Sequence, residues 1–64
     1  MTEFSAQLRE RARESLRLLA EAEACGDDYS VDVHTGELES ISRMADEHDV
    51  RVPELTTFRA SHAA

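Results

Sequence analysis

The stretch Tyr29-Ser30-Val31-Asp32-Val33-His34-Thr35-Gly36 decides how this 64-residue chain is read. As an extended segment it alternates, with Tyr29, Val31 and Val33 on one face and Ser30, Asp32 and His34 on the other. Thr35-Gly36 then serves as turn or cap. As a helix it opens at Asp27-Asp28, two N-cap residues that directly follow a helix stop. Its apolar stripe then continues through Leu38, Ile41, Ala45 and His48, with Val31 and Thr35 at compatible spacing. Intrinsic preference opposes the helix, because Ser, Val, Asp, His, Thr and Gly together cost about 3–4 kcal/mol relative to alanine. Packing opposes the strand: five residues need a pairing partner, and Glu37–Ile41 follows helical spacing and cannot supply a return strand.

The segment before it is read from its spacing. Phe4, Leu8, Ala12, Leu16, Leu19 and Ala22 recur at intervals of three and four, the period of one helix face. Thr2 is placed to N-cap this helix and Glu3 to meet its positive end. The opposite face offers the pairs Glu10/Arg13, Arg11/Glu14, Glu14/Arg17 and Arg17/Glu21, each worth a few tenths of a kcal/mol. Gly26 follows the Ala-rich close where a left-handed C′ residue is expected. A helix over about 3–25 results.

Two architectures follow. The leading expectation is mainly α: an antiparallel helical hairpin, about 3–25 and 28–49, with a short C-terminal turn or helix, pairing as a dimeric four-helix bundle. Gly36 in this reading lets the facing helix approach closely. The alternative is a helix followed by strand-helix-helix. After Asp49, Val50-Arg51-Val52 leads into Pro53, which suits a first helical position. Leu55 and Phe58 are expected to fold back onto the hairpin. The domain is expected over 1–58, with residues 59–64 as a frayed tail.

Composition limits what such a chain can do. About fifteen sizeable apolar side chains, each worth roughly 1.5–3 kcal/mol when buried, face about 1.5 kcal/mol of ordering entropy per residue. A monomer of this length is marginal, and a partner subunit is the expected supplement. The predicted interface uses Phe4, Leu8, Leu16, Leu19, Val31, Leu38, Ile41 and Ala45. A second protein as partner has no signature in the sequence. A single Cys25 cannot close an internal disulfide and fits a reducing cytoplasm. No apolar run approaches the roughly 20 residues of a membrane span.

The net charge is −7 and unevenly placed. Residues 1–25 carry four Arg against five Glu, whereas residues 26–64 carry three Arg against nine acids. The acidic second half repels phosphate backbones and disfavours nucleic acid as a partner.

No catalytic, cofactor-binding or metal-binding residues are expected. Cys25, His34, His48 and His62 stand 9, 14 and 14 residues apart, whereas zinc patterns place ligands in close pairs. Cys25 lies at a helix C-terminus among Glu23, Asp27 and Asp28, which disfavours a thiolate. Asp27, Asp28 and Asp32 lack the glycine and glutamate positions of a calcium loop. No nucleophile elbow or phosphate loop is present, and an enzyme is not expected.

Residues 29–58 resemble, in spacing, the ribbon-helix-helix family of small dimeric DNA-binding regulators and antitoxins. The strand would be Tyr29–Val33, the turn Thr35-Gly36-Glu37, the first helix Leu38–His48, the link Asp49–Val52, and the second helix would open at Pro53-Glu54-Leu55. The resemblance implies a dimeric transcriptional regulator or antitoxin as the alternative function. Its groove-facing positions would be Ser30, Asp32 and His34, where the family places basic or amide side chains. An aspartate there accepts usefully only from a cytosine amino group.

Overall fold

The computed structural model describes residues 3–61, and the expected cap at Thr2 lies outside them. Helix α1 spans Glu3–Cys25 and helix α2 spans Asp28–Glu47. A single 3-10 turn, η1, covers Pro53–Leu55 and runs into the short helix α3, Thr56–Ser61. Helices α1 and α2 pack against each other as an antiparallel hairpin.

Tyr29–Gly36 is therefore helical, and the described residues contain no strand. The extended alternative is overturned. Its alternation is incidental: Tyr29 is 79% exposed and Val33 42% exposed, so neither anchors a buried face. What holds the segment is the stripe that continues through it. Val31 packs on the core, while Leu38, Ile41 and Ala45 are buried. Burial of these side chains offsets the poor propensity of residues 30–36.

The turn between the helices is built from local hydrogen bonds. Gly26 has φ +71, the left-handed conformation glycine adopts without strain. Its N–H donates to the Glu23 carbonyl at 3.2 Å, and the Asp27 N–H donates to the Ala22 carbonyl at 2.9 Å. This pair is a Schellman motif that satisfies the last carbonyls of α1. Asp27 then caps α2: its carboxylate accepts from the Ser30 backbone N–H at 3.2 Å and from the Ser30 hydroxyl at 2.7 Å.

Helix α2 ends at Glu47, two residues before the expected Asp49, through a second Schellman motif. The Asp49 N–H donates to the Asp46 carbonyl at 3.3 Å and the Val50 N–H to the Ala45 carbonyl at 2.8 Å. Here the left-handed residue is Asp49, with φ +54, and no glycine announces the stop. Gly36 is also corrected. It is exposed, and a Cβ built on it would meet nothing within 4 Å, so no helix approaches it closely.

Val50–Val52 carries the chain back across the hairpin. Val52, Leu55 and Phe58 are buried and join Leu8, Ala12, Leu19, Leu38, Ile41 and Ala45 in one core cluster. Leu55 and Phe58 thus fold back as the sequence suggests. Pro53 opens η1, where its missing N–H costs nothing. Helix α3 runs to Ser61, so residues 59–61 of the expected tail are helical, and residues 62–64 lie outside the described part.

Candidate interaction surface

The eight side chains expected at a subunit seam are distributed unevenly. Leu8, Leu19, Leu38, Ile41 and Ala45 are buried inside the chain's own core, with Leu38 and Ala45 fully inaccessible. Leu16 and Val31 are half-buried against that core, and Phe4 is 39% exposed. Seven of the eight therefore meet in one chain, roofed at one end by η1 and α3. Phe4 lies at the rim, its ring 5.0 Å from that of His48 in an edge-on arrangement.

The roof is fastened by ion pairs that join residues distant in sequence. Glu54 of η1, whose side chain is 16% exposed, accepts from Arg9 Nε at 3.2 and 3.3 Å and from Arg13 Nη1 at 3.1 Å. The Arg9 hydrogen bond comes first among the causes that hold the Glu54 carboxyl below its ordinary range. On the other helix, Arg59 of α3 donates to the Ser42 carbonyl at 3.1 Å and pairs with Asp46 at 3.0 Å. Both attachments lie on the same flank of the hairpin.

Along the solvent face of α1, Arg13 pairs with Glu10, and Arg17 pairs with both Glu14 and Glu21. The expected Arg11/Glu14 pair does not form, and Glu14 pairs with Arg17 at 2.7 Å. These exposed pairs contribute little to stability. His34 bonds to Glu37 one turn on, and Cys25 is exposed at the end of α1.

An open groove of about 600 Å³ lies beside the α2 terminus, lined by residues that include Asp46, Asp49, Arg51, Pro53 and Arg59. Its walls mix both charge signs, and Arg59 is engaged with Asp46 and Ser42. Among the described residues no three His, Cys, Asp or Glu side chains come together as a metal-binding group. No helix there is long and apolar enough to cross a membrane. Among the described residues the large apolar side chains left exposed are Phe4, Tyr29 and Val33.

Comparison of the chain with protein-family models, curated proteins and solved structures returned no match.

Proposed function

We propose that this chain is a small, acidic, non-enzymatic protein-protein interaction or regulatory module that acts as a homodimer in the cytoplasm. Two hairpins stacked face to face would form a four-helix bundle. The observation that carries this reading is the set of large apolar side chains left at the surface of so small a fold. Phe4 is 39%, Val33 42% and Tyr29 79% exposed. A two-helix layer has only one inner seam, and a third element covers only one end of it. A second layer would remove the remaining apolar surface from water at about 25 cal/mol per Å². The net charge of −7 keeps such a module soluble and directs it toward protein surfaces rather than nucleic acid. Light scattering after size exclusion at tens of micromolar tests the reading. A mass twice the 7.2 kDa of one chain is expected, and a sharply monomeric peak rejects it.

A further inference from the structure

We infer that the two copies of the homodimer exchange their C-terminal segments, so that residues 50–61 of each chain roof the hairpin of the other. This rests on the homodimer reading and names the contact that joins the copies. One chain already shows the groove and what fills it. Val52, Leu55 and Phe58, spaced three apart, are buried against the hairpin's core. Glu54 reaches Arg9 and Arg13 of α1, and Arg59 reaches Ser42 and Asp46 of α2. Each of these contacts runs between the segment and the hairpin, and none requires both to belong to one chain. The segment of a second copy therefore fits the groove with the same apolar side chains and the same charges.

The hinge separates closing from exchanging. Helix α2 ends at Glu47, and the chain must turn back before the buried Val52. That turn holds Asp49 at φ +54, a conformation costly for a residue with a Cβ. Only the closed chain needs it. In the exchanged form the hinge runs on extended, as Val52 already does at φ −123, and Asp49 leaves the left-handed region. A short hinge under strain favours exchange of an identical segment between copies.

Two features of the hinge end fit a second copy there. Extended hinges related by a twofold axis cross antiparallel. Crossing at Val50 sets Asp49 beside the partner's Arg51 and Arg51 beside the partner's Asp49. Both side chains are exposed, and neither is ion-paired with a described residue. Four hinge residues, 49–52, span at most about 14 Å, so the two hairpins must lie side by side at this end. Phe4 is located there, 39% exposed, with its ring against that of His48, the residue before the hinge. Exchange brings the two Phe4–His48 corners together and covers a ring that the closed chain leaves at the surface.

Charge complementation tests the exchange. Arg9→Glu/Arg13→Glu sets like charges against Glu54, and Glu54→Arg sets like charges against Arg9 and Arg13. Each variant alone should unfold at lower urea than the native chain. Unfolded together and refolded as an equimolar mixture, the two variants can place each hairpin against a segment of opposite charge, but only by exchange. The mixture is expected to unfold at higher urea than either variant and to sediment as a two-chain species. Asp49→Gly removes the strain of the closed form at both hinges of a dimer and is expected to weaken native association about tenfold. A mixture that unfolds as the sum of its parts, or an Asp49→Gly chain that pairs as tightly as the native one, overturns the exchange. The homodimer still stands in that case if the native chain sediments at two-chain mass. A native chain that is monomeric throughout overturns both.

Discussion

Replacing Gly36 by Ala isolates the conformation of the segment on which the fold depends. Gly36 lies inside α2, is exposed, and a Cβ at that position would meet nothing within 4 Å. The substitution therefore neither gains nor loses packing, and only backbone preference changes. In a helix interior alanine is favoured over glycine by about 0.8–1.0 kcal/mol. The variant should gain about that amount, which raises the melting temperature by about 4–8 °C in a domain of this size. Urea unfolding followed by circular dichroism at fixed chain concentration measures it, with the slope unchanged so that the midpoint alone reports stability. The same substitution at Gly26 should have the opposite sign. There too nothing lies within 4 Å, but φ is +71, and forcing an L residue into that region costs about 1–2 kcal/mol. Loss of stability on Gly36→Ala would mean that residue 36 turns the chain rather than continuing a helix, and would refute the hairpin.

Three further outcomes follow from the caps and the roof. Asp27→Ala removes the acceptor for the Ser30 N–H and should cost about 1 kcal/mol by urea unfolding. Asp49→Gly relieves a left-handed aspartate and removes a negative charge from a helix C-terminus. Against the greater unfolded-state freedom of glycine, a net gain of about 0.5 kcal/mol in the same assay is expected. Glu54→Gln breaks the bridge to Arg9 and Arg13 and should cost about 1 kcal/mol at neutral pH. Because the folded-state pKa of Glu54 is depressed, its contribution is complete above the ordinary glutamate range and disappears as pH falls through the folded value. Chemical unfolding from pH 7 down to pH 3 should therefore show the native chain losing more stability than Glu54→Gln.

The long amphipathic helix α1 was legible because its apolar spacing, its Gly26 stop and its surface pairs all point the same way. Asp27 was legible as a cap because its side chain acts only three residues away. The segment 29–36 was ambiguous in sequence because local preference and packing disagree there. The buried stripe through Leu38, Ile41 and Ala45, not propensity, settles it. Helix α2 ends two residues short of the expected Asp49 because an aspartate, rather than a glycine, takes the left-handed position. The Glu54 bridge had no local signal, because its arginine partners lie 41 and 45 residues away. The eight seam residues were recognised as one apolar set. Sequence could not say whether a second chain or the chain's own C-terminal segment covers them, and in the structure Val52, Leu55 and Phe58 occupy much of that role.

Thermal unfolding as a function of chain concentration tests most directly whether this small fold gains its missing burial from a second copy. If folding and pairing are coupled, a hundredfold rise in concentration adds about 2.7 kcal/mol by mass action. For two chains of this length that raises the midpoint by about 10 °C. A midpoint that climbs by this amount between micromolar and hundreds of micromolar chain is the expected result. A midpoint independent of concentration over the same range would contradict it.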